Sequence, residues 1–296
     1  MVSALIKSMR PRQWTKNAFI LAAVIFDRQL TQINSIFRTF AGLLIFCLLS
    51  SSVYLINDVL DIKSDRKHPT KKFRPIASGN LPISTALLFA LIFIFISITC
   101  AYLLSMEFAL ICLVYFLVNL VYSKWLKHVV ILDVIILASG FVLRVLAGVS
   151  LIHVERFSPW LYVVTTLLAL YLGFGKRRAE LTLSSENASL HRKVLNGYTI
   201  PLLDQLITVV SSSTIIAYSF YTFSAPNLPT DHTMMLTIPF VMYAIFRYLY
   251  LIQVDQAGGA PEELLLTDKP IQLSILLYAI SVFIIFYSPA LANLFG

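Results

Sequence analysis

Asp58, Asp61 and Asp65 follow Asn57 in the spacing N-D-x-x-D-x-x-x-D, and six lysines and arginines share the same stretch, NDVLDIKSDRKHPTKKFRPIASG. On one continuous helix, at 100° per residue, the three carboxylates fall within about 60° of one another, with Asn57 beside Asp61. Carboxylates stacked at a helix C-terminus repel each other and the helix dipole. A hard divalent cation removes that cost. Mg2+ prefers oxygen ligands and is typically held by one or two carboxylates, water and substrate phosphates. The expected metal ligands are Asp58, Asp61 and Asp65, with Asn57 assisting. Past the His68-Pro69 break, Lys71, Lys72 and Arg74 lie on a loop that folds back toward the acids, placed to neutralise phosphate oxygens. A solvated loop of surface ion pairs accounts for one or two such residues but not for this density beside a membrane. The stretch reads as a Mg2+–diphosphate site.

Other charged groups fit the same chemistry. In GKRRAEL, Lys176 and Glu180 are four apart on one helix face and Arg177 and Glu180 are three apart, and the bland reading is a Lys176–Glu180 helix-end salt bridge. As functional groups, Lys176 and Arg177 would clamp phosphate, and Glu180 would orient a base or touch metal-bound water. Tyr122 and Lys127 sit in YSKWLKH between two apolar runs. Their bland reading is an interfacial aromatic with snorkelling lysines. The lead-in Arg10, Arg12, Trp14, Lys16 and Asn17 would capture a lipid phosphate or simply attract anionic lipid. Asp133 and Arg144 are three helical turns apart on one face. Arg144 falls well inside an apolar run, so it faces protein or a wet cavity. It is either a structural partner or part of a polar cavity wall, and Asp204 is read the same way. His68, His128 and His191 have no metal-ligand spacing and read as loop residues.

The elements that must position these residues are membrane helices. Of 296 residues, 58% are hydrophobic and 13% charged, and the mean hydropathy is +0.81. A soluble domain carries about twice that charge fraction. Nine apolar segments are expected at roughly 16–31, 39–58, 83–104, 106–123, 129–152, 159–175, 201–223, 233–252 and 271–294, the first being the weakest. Runs of this length suit helices and are too long for barrel strands. With the N-terminus in the cytoplasm, nineteen of the 23 Lys and Arg residues fall on the cytoplasmic side. The protein is then a multi-pass component of the cytoplasmic membrane, with its chemistry facing the cytoplasm and its C-terminus outside. Cys47, Cys100 and Cys112 lie inside apolar runs and form no disulfide framework. No removable signal peptide is evident at the N-terminus.

NDVLDIKSDRKHPTKKFRPIASG resembles the first aspartate-rich motif of the UbiA superfamily of intramembrane prenyltransferases. RPRQWTKN, YSKWLKHVVILDVIILASGFVLRVLAGV, GKRRAEL and PFVMYAIFRYLYL look like one branch of it, the decaprenyl-phosphate phosphoribosyltransferases, and the resemblance runs over nearly the whole chain. It implies an all-α domain spanning 1–296, with about nine transmembrane helices around a central cavity open to the cytoplasm. It further implies Mg2+-dependent transfer of 5-phosphoribosyl from 5-phosphoribosyl diphosphate to polyprenyl phosphate, with release of diphosphate, for cell-envelope polysaccharide precursors. On this reading Asp58, Asp61 and Lys176 are catalytic. Lys16, Asn57, Lys71, Lys72, Arg74, Tyr122, Lys127, Arg144, Arg177 and Glu180 bind substrate. The partners are the two substrates and the bilayer, with no nucleic acid, and a homo-oligomer is compatible with the sequence. The superfamily's prenyl-transferring members carry a second aspartate motif after the sixth span. GKRRAELTLSSEN has three bases and Glu180 in its place, which suits a donor richer in phosphate and without an apolar tail. An aromatic-ring prenyltransferase and a transporter of phosphorylated metabolites are the rival readings. The first would ordinarily carry the missing motif, and the second would show repeat symmetry and broken helices.

Overall fold

The computed structural model describes residues 1–153, 158–186, 193–226, 228–255, 264 and 267–295, and among them it is all-helical. They fall into two compact units, 1–153 with 193–194, and 158–186 with the described part of 195–295.

The first unit opens with an amphipathic helix, α1 (Val2–Met9), whose Val2 and Ile6 are exposed. Arg10, in the left-handed region at φ 56°, ends α1 immediately before Pro11. Pro11 cannot donate a backbone hydrogen bond and starts a 3₁₀ segment, Pro11–Leu21, followed by the short α2 (Ala22–Phe26). The expected 16–31 span is therefore broken. It is pinned along α3 (Ile33–Leu60): Trp14 Nε1 donates to Ser51 Oγ at 3.1 Å, and Asn17 Nδ2 donates to Ser50 Oγ and Cys47 Sγ, each at 3.2 Å. These bonds assign Trp14 and Asn17 to packing, and Asn17 is fully buried. A very short helix, α4 (Ile62–Asp65), follows α3, and then come α5 (Ile83–Leu104), α6 (Met106–Lys124) and α7 (Leu132–Val149). Ile20, Phe46, Leu49, Phe108, Tyr115 and Leu151 form the main core of the unit. α7 approaches the 3₁₀ segment so closely that a Cβ at Gly148 would land on the Ile20 carbonyl oxygen.

In the second unit α8 (Pro159–Glu186) lies against α9 (Ile200–Ser224), with Trp160 and Phe220 stacked at 5.2 Å. α10 (Ile238–Gln253) meets α8 where Tyr171 Oη donates to the Ile245 carbonyl at 2.7 Å. A Cβ at Gly175 would lie 2.7 Å from Ile252 Cδ1, so only glycine fits that crossing without a shift. α11 (Lys269–Phe295) starts behind Asp268, whose carboxylate accepts the Ile271 N–H at 2.9 Å as an N-cap.

Seven helices among the described residues are long and apolar enough to cross a membrane: α3, α5, α6, α7, α9, Thr233–Gln253 and Lys269–Tyr287. Two of the nine expected spans do not meet that measure. The 16–31 segment is broken as described. α8 has 28 residues, but threonines, tyrosines and glycines dilute its apolar stretch and Lys176, Arg177 and Arg178 follow it.

Candidate active site

The stretch that carries the aspartates is not one helix. α3 ends at Leu60, and Asp61 caps it at φ −91°, ψ 4°, before α4 begins. The Asp61 carbonyl accepts from the Asp65 N–H at 2.8 Å and from Ser64 Oγ at 2.8 Å, so the turn closes tightly. Beyond α4, His68 Nδ1 accepts the N–H groups of Thr70 and Lys71 at 3.3 Å each, which makes His68 a fixture of the turn. The chain then folds back. Arg66 Nε donates to the Ala77 carbonyl at 3.0 Å, the Leu81 N–H to the Pro75 carbonyl at 2.9 Å, and Gly79 supplies φ +85°. Ile76 and Leu81 are buried with Leu55, Ala86 and Ala90, and this small apolar core anchors the basic loop against α3 and α5.

That anchoring brings Arg74 onto two acids at once. Its Nη1 lies 3.1 Å from Asp58 Oδ1 and 2.7 Å from Asp65 Oδ2. Asp58, whose side chain is 2% exposed, also pairs with Arg10. Asp61 goes elsewhere. It is 26% exposed and receives Lys127 Nζ at 2.5 Å from the 3₁₀ turn Leu126–His128 between α6 and α7. The expected face of three convergent acids is thus two acids on one guanidinium plus a third on a lysine, because the helix breaks at Asp61. A cavity of about 190 Å3 opens beside the pair, walled in part by Lys7, Ser8, Arg10, Asp58, Thr70 and Arg74.

The other expected residues scatter around this centre. Asn57 is half-buried one residue before Asp58, and its carbonyl holds the Asp61 N–H at 2.9 Å. Lys71 and Lys72 occupy the 3₁₀ turn Lys71–Phe73, the first half-buried, the second exposed with its ammonium 5.1 Å over the Phe73 ring. Lys16 is half-buried on the 3₁₀ segment and Tyr122 half-buried at the end of α6. Arg144, expected either as a structural partner or as a substrate ligand on a cavity wall, bonds to protein. It is 5% exposed, and all three guanidinium nitrogens donate to protein: Nε to Asn17 Oδ1 at 2.8 Å, Nη1 to the Gly140 carbonyl at 2.7 Å and Nη2 to Tyr115 Oη at 3.0 Å. The rings of Tyr115, Phe141 and Phe46 surround it at 5.0–5.6 Å. Arg144 therefore ties α7 to the 3₁₀ segment and α6, and its bonds do not go to Asp133.

In the second unit, Glu180 pairs with Arg177 at 2.5 Å and not with Lys176. Arg177 is 1% exposed. Lys176 is half-buried and makes no hydrogen bond or ion pair among the described residues. Arg178 Nε donates to Asp204 Oδ1 at 2.6 Å, which identifies the partner of the charge in α9. Sequence reasoning missed that pair, since nothing local links positions 26 apart, and it read Arg10 as capturing a lipid phosphate or attracting anionic lipid and not as a partner of Asp58. The available signal for Arg10 was its place between an amphipathic segment and Pro11, where a turn must aim it.

The donor set suits a divalent cation. Among the described residues no three His, Cys, Asp or Glu side chains converge, but Asp58 and Asp65 direct one oxygen each at a single positive centre. Two carboxylates with substrate oxygens are a sufficient shell for Mg2+. Arg10, Arg74 and Lys7 line the cavity beside them and supply the charge to bind a multiply charged phosphate.

The protein-family model "UbiA prenyltransferase family" matches residues 18–176. A decaprenyl-phosphate phosphoribosyltransferase of Corynebacterium glutamicum is 33% identical over 97% of this chain and 88% of its own length. One of Mycobacterium tuberculosis is 31% identical, over 95% of this chain and 94% of its own. Among solved structures, a UbiA homolog from Archaeoglobus fulgidus bound to DMAPP and Mg2+ superposes with a TM-score of 0.73 at 20% identity, covering 95% of this chain and 98% of the other, so the fold is shared.

Proposed function

The chain belongs to the UbiA prenyltransferase family, and from that premise we propose that it transfers 5-phosphoribosyl from 5-phosphoribosyl diphosphate to a polyprenyl phosphate. The observation that carries this reading is the Asp58–Asp65–Arg74 cluster, with Arg10 and a cavity beside it, in a relative of enzymes named for that acceptor. The absence of a second D-x-x-x-D motif and the basic GKRRAEL in its place favour a phosphate-rich donor over a prenyl diphosphate.

Asp58 and Asp65 are the residues that would hold Mg2+, with Asp61 and Asn57 next to them in the chain. Bound there, the ion would supply charge neutralisation to the leaving diphosphate. Arg74, Arg10, Lys127, Lys71 and Lys72 give the first unit a set of cations for phosphate oxygens, and Lys176 with Arg177 gives the second unit another. Preorganised cations lower the barrier because they need not reorient as charge develops. An oxygen of the acceptor's phosphate attacks the anomeric carbon, that carbon's bond to the diphosphate oxygen breaks, and diphosphate leaves with the electron pair. The acceptor is already anionic at neutral pH, so no strong general base is needed. A single displacement inverts the anomeric carbon. The active face is cytoplasmic, and the product serves cell-envelope polysaccharide synthesis.

The test is to incubate purified protein with Mg2+, polyprenyl phosphate and 5-phosphoribosyl diphosphate labelled in the ribose. Label in the lipid fraction, lost on chelation, supports the reading. Label left in the donor, while a prenyl diphosphate and an aromatic acceptor react, would replace it with prenyl transfer. Label carried unchanged into vesicles would replace it with transport.

A further inference from the structure

Arg10 stands where two functions meet. Its backbone is the joint between α1 and the Pro11–Leu21 segment, and its guanidinium lies 5.0 Å above the Tyr54 ring and on Asp58. Asp58 is buried, whereas Arg10 is 26% exposed and borders the cavity of about 190 Å3. Asp58 therefore has two guanidinium partners, Arg10 and Arg74, and Asp65 shares the second. Two carboxylates and two guanidiniums cancel, so the cluster is neutral without any ligand. This balance makes a buried carboxylate tolerable, because an uncompensated one is strongly destabilising.

Arg10 and Arg74 both sit on Asp58 Oδ1, so a divalent ion approaching that carboxylate meets two guanidinium charges and is favoured when one of them withdraws. We propose that Arg10 is an exchangeable counter-ion: it neutralises Asp58 in the empty site, and when metal and diphosphate enter it releases Asp58 to the metal and turns to a diphosphate oxygen across the cavity. The charges support the exchange. Freed from Asp58, Arg10 offsets part of a diphosphate ester, and Lys7 on the same wall adds one more positive charge. Arg10 is suited to this part more than Arg74. Arg10 has one acid to release, whereas Arg74 is bonded to two acids and adjoins the buried loop core. The exchange makes the two ligands cooperative, since each is disfavoured alone: metal must displace a cation, and diphosphate must draw a cation from its carboxylate.

This inference rests on the proposed metal–diphosphate site and predicts a signature that a purely structural arginine would not give. With the full chain in nanodiscs, Mn2+ binding is measured by electron paramagnetic resonance, and inorganic diphosphate binding is measured calorimetrically at saturating Mn2+. In Arg10→Gln, Mn2+ alone is expected to bind more tightly, and diphosphate in the presence of Mn2+ more weakly, each by roughly tenfold, the scale of one charge-assisted bond. Arg10→Lys keeps the charge but not the planar fork, and is expected to shift both constants in the same directions by less. If the glutamine variant is not monodisperse, the lysine variant alone must show the opposed shifts. Loss of both affinities together, no change in either, or weakening only of polyprenyl phosphate binding would overturn the proposal. So would a wild-type protein that binds no Mn2+. Phosphoribosyl transfer by the wild type is scored separately. Opposed shifts without transfer would fail the proposed function alone, and transfer without opposed shifts would fail the exchange alone.

Discussion

Replacing Arg144 by Met tests whether this intramembrane charge serves the fold or the substrate. The side chain is almost wholly buried and donates at 2.7–3.0 Å to Asn17, Gly140 and Tyr115. Methionine has similar length and no donors, so the Asn17 and Tyr115 oxygens lose a partner where water is scarce. An orphaned buried acceptor costs about 1–3 kcal/mol, and the substitution leaves more than one. The changes are not additive because Asn17 keeps its bonds to Ser50 and Cys47. A net loss of about 3–5 kcal/mol is expected, which lowers Tm by roughly 10 °C at this chain length. A thiol-reactive dye reads unfolding directly, because Cys47 and Cys112 are buried. The KM for 5-phosphoribosyl diphosphate, measured well below the new Tm, should stay within about twofold of the original. Arg144→Lys keeps the charge without the fork and should fall between the two. An unchanged Tm with a KM raised tenfold or more would refute the structural assignment and return Arg144 to the substrate.

Asp58→Asn, Asp65→Asn and Asp61→Ala should each lower phosphoribosyl transfer by about 100-fold, the usual loss when a group stabilising developing charge is removed. Near-normal turnover in Asp61→Ala, read by label in lipid, would confine Asp61 to its pairing with Lys127. Lys176→Ala should raise the donor KM by roughly tenfold without lowering Tm, since among the described residues Lys176 has no hydrogen bond or ion pair to lose, and an unchanged KM would end its assignment to donor binding. Gly148→Ala should cost about 1–3 kcal/mol, because the new Cβ meets the Ile20 backbone and not a side chain that can rotate away. A thermal melt equal to that of the unmodified protein would contradict this. The Arg247 guanidinium, donating to Asp268 at 2.8 Å, holds that carboxyl below its ordinary value. A carboxylate whose pKa is depressed on folding adds stability above its unfolded pKa of about 3.9 and loses it as pH falls through the folded value. Asp268→Asn should therefore reduce Tm at neutral pH and flatten the decline below pH ~4, and parallel curves for the two proteins would argue against it.

Much of this protein is legible along the chain. Long apolar runs fix membrane helices because lipid leaves an unpaired backbone no alternative, and seven of the expected segments reappear as helices long and apolar enough to cross. The aspartates and the basic loop stand in one 23-residue stretch, so the character of the site needs no tertiary information. The 100° rule overreached at Asp61, where the helix ends and the third acid turns toward Lys127. Periodicity states which side chains share a face only for as long as the helix lasts. The pairings themselves were beyond it. Arg10 reaches Asp58 across 48 positions, Lys127 reaches Asp61 across 66, and Arg144 reaches Asn17 across 127. Sequence determined which charges this protein keeps at the membrane and roughly where. Packing decided which of them meet, because a charge withdrawn from water must take whatever opposite partner the neighbouring helices bring within about 3 Å.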